Sequence, residues 1–320
     1  METLQIMLKN VIIFVLLAVP GYLLVKGKLV GGKESGVLSK LLTYVGMPFM
    51  ILSSTLNLEF TAEFTRSIII TAVVGVLFMA VMFFATALLV RDSDAKRRGM
   101  LRFCMIFANN GFIGIPLGRA VFGEDSPVMA YLIVLNIINN VVMFTLGAYL
   151  ISGDKKTVNV KKALLNPVLL AFVVGIVLKL LSVEKAVPEI QTYSGHFSGM
   201  VTPLSMLVLG IKLAEVPLKK LFTSGRMYYA CAVRLVLFPA LSVALMLLLK
   251  LIPALAVTEH MILGVFISFA MPTAGLASAF SDQYGGDTEN AVILTLGTTI
   301  VSAGAIPLLY WVLQCVLNAL

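Results

Sequence analysis

The chain has 320 residues, 59% of them hydrophobic and 12% charged, with a formal net charge of +8. Soluble domains carry about 25% charged residues, so a water-soluble fold of this length would lack a polar coat, and lipid is the expected solvent. The positive charge does not point to nucleic acid as a partner, because the Lys and Arg residues sit in short loops between apolar runs, where they set orientation in a bilayer.

A spanning helix needs about 20 mostly apolar residues. Ten such stretches follow one another, at 6–25, 36–56, 67–90, 100–122, 127–151, 166–182, 194–213, 227–252, 260–281 and 289–318. The fold class expected is therefore all-α and integral to the membrane, with ten spans and no soluble domain. The first run has no small-residue cleavage site and nine spans follow it, so it reads as a spanning helix rather than a signal peptide. The loops after spans one, three, five and seven, with their flanks, carry 17 of the 24 Lys and Arg, and the opposite side carries six. Positive loops face the cytoplasm, so the cytoplasmic membrane is the expected location and both termini are expected outside. Cys104, Cys231 and Cys315 all fall inside spans and form neither a disulfide framework nor a metal-ligand cluster.

In chain order, the second span contains Met47-Pro48. The fourth carries the most informative run, Phe107-Ala108-Asn109-Asn110-Gly111-Phe112-Ile113-Gly114-Ile115-Pro116. Pro116 cannot donate a backbone hydrogen bond, and its ring displaces the carbonyl of Phe112. Gly111 and Gly114 permit non-helical backbone. Backbone freed at this depth needs a partner, because lipid offers none. A break also exposes a half-helix N-terminus carrying roughly half a positive charge, which suits a carboxylate, and Asn109 and Asn110 add neutral donors. The competing reading is a packing kink held by amide contacts.

The fifth span places Asn136, Asn139 and Asn140 on one helical face. Asn136 and Asn140 are expected to line a cavity, with contacts between helices as the alternative. The seventh span contains Thr202-Pro203. In the eighth, Arg234 is the one basic residue well inside a span, and snorkelling to the cytoplasmic surface is favoured over substrate binding. The ninth is interrupted at Met271-Pro272-Thr273. The tenth carries Thr295, Thr299 and Ser302 on one face, read as contacts between helices.

These features pair across the chain. Pro48 matches Pro203, and the broken fourth span matches the broken ninth. Two halves of five spans, 1–162 and 163–320, must insert with opposite orientation, and paired breaks in inverted halves point to a transporter binding site. The sequence has no zinc-protease motif, phosphate-binding loop or nucleophile elbow, so an enzyme, a cofactor and ATP-driven pumping are not expected.

The run at 109–116, Asn139-Asn140 with Phe144-Thr145-Leu146-Gly147, Asn166-Pro167, Pro203 with Leu209-Gly210, and Met271-Pro272-Thr273 together resemble the auxin efflux carrier family, which includes bacterial malate and malonate carriers. The resemblance implies ten helices in two inverted repeats, with broken helices four and nine crossing. Helices one, two, six and seven would form a scaffold. Helices three to five and eight to ten would form a mobile transport unit working by an elevator-like mechanism, in a homodimer. It also implies that Asn110 and Asn140 hold the carboxylate of a small organic anion and that Ser53 lines the pocket. The long cytoplasmic loop of plant members is missing, since Ser152–Leu165 is short, which leaves auxin open as a substrate. A sodium-coupled symporter of the bile-acid type and a non-transporting membrane receptor are the alternatives.

Overall fold

A computed structural model describes residues 2–58, 61–158, 161, 164–215 and 218–319. The described chain is helical, and seven of its helices are long and apolar enough to cross a membrane. The expected boundary between halves, at 162/163, lies outside the described residues.

Helix starts follow local chemistry. Thr61 caps α4 (Ala62–Leu89), accepting the Phe64 N–H at 3.1 Å. Asp94 accepts from Lys96 and Arg97 to open α5 (Ala95–Ile106). Ser126 and Asn166 cap α7 (Pro127–Val142) and α9 (Pro167–Leu180), each with proline in the first helical position. Short polar side chains at these points satisfy N–H groups that the helix leaves orphaned, and proline costs nothing where no N–H is needed. Gly123 (φ +86°) and Gly285 (φ +72°) close α6 (Ile115–Phe122) and α17 (Ala277–Tyr284) in a backbone region that a side chain would resist.

Two close approaches set the packing of the outer helices. Helix α1 (Glu2–Lys26) runs along α12 (Val201–Glu215). A Cβ on Gly21 would strike the Leu207 carbonyl, and one on Gly210 the Ala18 carbonyl. Small residues at both points let the backbones meet, as in membrane helix pairs generally. Helix α9 packs on α3 (Met47–Leu56), with Gly175 against Thr55. Helix α7 is central. It contacts α4 on one side and α16 (Glu259–Ala270) on the other, and most of its side chains are buried. Ile12 and Leu16 of α1, Leu77 and Phe84 of α4, and Val173 and Val177 of α9 are exposed. Such outward apolar faces are what lipid requires.

The fourth and ninth expected spans are both discontinuous. Helix α5 ends at Ile106, residues 107–109 are non-helical with Phe107 extended, and the chain re-enters helix at Asn110 through a wide turn, Asn110–Gly114, that leads into α6. Helix α16 ends at Ala270, and α17 starts only at Ala277. The fourth break lies before Asn110, so Pro116 sits inside the second half-helix rather than at the interruption. The Phe112 carbonyl that Pro116 leaves over accepts a hydrogen bond from Ser205 Oγ of α12 at 3.1 Å.

Candidate functional site at the helix crossover

The two non-helical stretches meet. Asn109 N–H donates to Pro272 O at 2.8 Å, and Ala274 N–H donates to Phe107 O at 2.9 Å. Ala108 and Thr273 form an isolated antiparallel bridge. Neighbouring helices complete the pairing. Asn139 grips Ala108 from both sides: its Oδ1 accepts the Ala108 N–H and its Nδ2 donates to the Ala108 carbonyl, each at 3.1 Å. Thr298 of α18 (Thr288–Asn318) does the matching job, its Oγ1 accepting the Thr273 N–H at 3.1 Å. Thr273 Oγ1 donates to Cys104 O at 2.8 Å. Pro272 has no N–H to satisfy, which is why it is tolerated in the bridge.

Arg234 closes the carbonyl ends. It is fully buried. Its Nε donates to Met271 O at 2.9 Å, and one terminal nitrogen lies 3.4 Å from both Met105 O and Ile106 O. The C-terminal ends of α5 and α16, each carrying about half a negative charge, therefore converge on one guanidinium. The snorkelling expected from sequence is overturned, because the crossover offers Arg234 fixed carbonyl partners at its own depth. Its second terminal nitrogen has no partner among the described residues.

The opposite, N–H ends are left open. Among the described residues the backbone N–H groups of Asn110, Gly111 and Phe112 make no hydrogen bond. Gly111 and Phe112 line a cavity together with Asn109, Asn136, Asn140 and Thr43. Asn140 Nδ2 donates to the Asn136 carbonyl (2.8 Å) and to Asn136 Oδ1 (3.1 Å), which fixes the Asn136 amide. Asn136 Nδ2 is buried without a partner among the described residues. Of these two amides, Asn136 keeps the free donor, and Asn140 orients it.

The remaining sequence-derived candidates sit behind this wall. Asn110 is buried beside Gly114, and its Oδ1 has no partner among the described residues. A Cβ on Gly114 would touch Met271. Pro116 is buried in the first turn of α6. Met271, Pro272 and Thr273 make the bridge itself. Ser53 is buried on α3, where its carbonyl accepts Gln191 Nε2 at 3.1 Å, and it does not line the cavity. Thr295, Thr299 and Ser302 turn their hydroxyls onto their own helix, on Ala291, Thr295 and Thr299 carbonyls, so they do not bridge helices by hydrogen bonds. Sequence reasoning passed over Asn139 as a positioning residue, Thr298 and Phe112. Asn139 shares the polar face of α7, and that pattern alone cannot tell a cavity-facing amide from one turned onto the crossover.

Comparison with known proteins places this architecture. Residues 6–310 match the family profile described as "Membrane transport protein". The chain is 25% identical over 295 residues to a "Putative malonate transporter" of Rhizobium meliloti (strain 1021), covering 88% of each chain. It is 26% identical over 209 residues to an "Uncharacterized transporter" of Methanothermobacter thermautotrophicus, covering 64% of this chain and 66% of that one.

Proposed function

The chain belongs to the membrane transport protein family, the auxin efflux carriers, and from that premise we propose that it is a secondary transporter of a small organic anion, a carboxylate or dicarboxylate. It is a multi-pass membrane transporter, and its family and relatives are transporters rather than enzymes. The observation that carries the anion reading is the asymmetry of the crossover. The Cys104, Met105, Ile106 and Met271 carbonyls are taken by the protein's own donors, while the N–H end of the α6 half-helix and the Asn136 amide face a cavity. Free donors and a positive helix end select an acceptor with negative charge. Asn109, Gly111, Asn136 and Asn140 form the contact surface, and Asn110, Gly114, Pro116, Met271, Pro272 and Thr273 hold the breaks that create it. Malonate, named for one relative, is the first solute to test.

The proposed architecture is ten spans in two inverted repeats, with helices one, two, six and seven as scaffold and the rest as a transport unit that moves as an elevator. Packing supports this division: α1 lies on α12, α9 lies on α3, and the central α7 packs with α4 and α16. The proposed state is a homodimer in the cytoplasmic membrane with both termini outside. Sodium coupling is the competing reading. Arg234 speaks against it, because a fixed cation already takes the carbonyl ends that a bound sodium would otherwise use. Counterflow of labelled malonate in proteoliposomes, with and without a sodium gradient, tests both points. Saturable, sodium-independent exchange that Asn136→Ala and Asn140→Ala strongly reduce is expected. Normal exchange in both variants would remove the site assignment.

A further inference from the structure

A second cavity lies on the other side of a thin wall made by Asn109, Phe112 and Gly275, residues that line both cavities. The wall is thin because residue 275 has no side chain: a Cβ there would press on the Phe112 ring and the Asn109 amide, each at 3.3 Å. The second cavity is lined by Ser205, Lys212, Ser278, Thr295 and Thr299. The N–H groups of Gly275 and Leu276, ahead of α17, make no hydrogen bond among the described residues.

Lys212 gives this cavity a charge that the first one lacks. It projects from α12, is part-buried, and reaches Gly275 O at 3.4 Å and Ser278 Oγ at 3.5 Å. Charge-assisted N–H···O contacts are normally about 2.7–2.9 Å, so neither contact saturates an ammonium with three donors. Lys212 forms no ion pair within 4.0 Å among the described residues; the carboxylates that act on it, Glu215 and Asp282, do so only through space. Asparagine, threonine and serine neighbours do not compensate a cation. The ammonium thus stands in a mostly apolar cavity beside the free Gly275 N–H, with no carboxylate within 4.0 Å of it among the described residues.

We propose that this cavity is a second anion-binding site, in which Lys212 takes a carboxylate of the transported solute on the far side of the crossover wall from Asn136. It rests on the anion reading above for the chemistry of the solute. The two sites differ in kind. The first offers neutral donors and a helix end, which release an anion readily, and the second offers a full charge. Lys212 comes from α12, whereas Asn136 comes from α7, so the two sites need not move together. A solute passing between them exchanges amide donors for an ammonium.

The test uses the full-length protein in detergent, titrated with malonate at constant ionic strength while its thermal unfolding midpoint is followed, since a ligand that binds the folded state raises that midpoint. Counterflow in proteoliposomes supplies half-saturation and maximal rate. Lys212→Gln is expected to raise the malonate concentration for half-saturation by about tenfold, with the maximal rate changed far less, and Lys212→Arg, which keeps the charge, is expected to stay within about threefold of the parent. A Lys212→Gln variant with unchanged half-saturation, beside a parent that responds to malonate, would overturn the second site and leave the first intact. Equal loss in the Gln and Arg variants, with a lowered midpoint in the absence of malonate, would also overturn it, because Lys212 would then be a clamp on Gly275 and Ser278. A flat titration in the parent protein would remove the anion reading and this site with it.

Discussion

The two ends of each break at the crossover are treated in opposite ways. On the carbonyl side, Arg234, Asn139, Thr273 and the bridge partners take up freed backbone groups, and the region is buried. On the N–H side, Asn110, Gly111 and Phe112 keep their donors free and the Asn136 amide is unpartnered beside a cavity. Both regions arise from the same interruption of helix. The difference teaches that a broken membrane helix need not be a general polar defect: the protein fills the acceptor end itself and reserves the donor end for a solute.

The comparison can be broken most severely at Arg234. Arg234→Met leaves the Met105, Ile106 and Met271 carbonyls without a donor in a buried region, an expected cost of about 3–5 kcal/mol. The thermal midpoint and the yield of monodisperse protein in detergent would read it, and a midpoint equal to the parent's would show that the carbonyl ends need no cation. Next is Asn139→Leu, which orphans both backbone groups of Ala108. A loss of about 2–3 kcal/mol is expected, again with transport and folding falling together.

On the open side the effects should separate. Asn136→Ala removes a donor that no protein group uses, so malonate exchange should drop by about tenfold or more, one charge-assisted hydrogen bond, while the midpoint without solute barely moves. A parallel fall in both would mean that Asn136 is structural. Gly111→Ala sharpens the same point with a smaller effect. The added methyl meets the Met47 side chain, which can shift, so a modest rise in half-saturation is expected with folding retained.

The smallest effect lies outside the spans. The Asp94 N–H, with Arg97 and Arg226, holds the Asp92 carboxyl below its ordinary range, against the opposing pull of burial. A carboxyl lowered in the folded state stabilises above its unfolded pKa of about 3.9 and loses that contribution as pH falls through its folded value. Asp92→Asn should therefore lower the midpoint slightly at neutral pH, and the difference should vanish in strong acid. A difference that persists there would assign the effect to packing.

Much of the fold was legible in order along the chain. The described chain is helical, with seven helices long and apolar enough to cross a membrane, and both helix interruptions fall where Asn109-Asn110 and Met271-Pro272-Thr273 interrupt apolar runs. The side of the break on which a polar residue acts was not legible. Asn136, Asn139 and Asn140 lie on one face, yet Asn139 grips Ala108, Asn140 orients its neighbour, and only Asn136 keeps a free donor. Arg234 looked like a residue reaching for the surface because spacing along one helix carries no information about carbonyls on two others.

Length, hydropathy and the placement of Pro, Gly and Asn determined by themselves that this is a helical membrane protein with two interrupted spans, because lipid forces every apolar run of that length to form helix and lets only partnered backbone deviate. Tertiary structure alone decided which freed groups were matched internally and which were left for a solute. That choice depends on where helices distant in sequence come to lie, on the order of an ångström, and hydrogen bonding is sensitive at that scale.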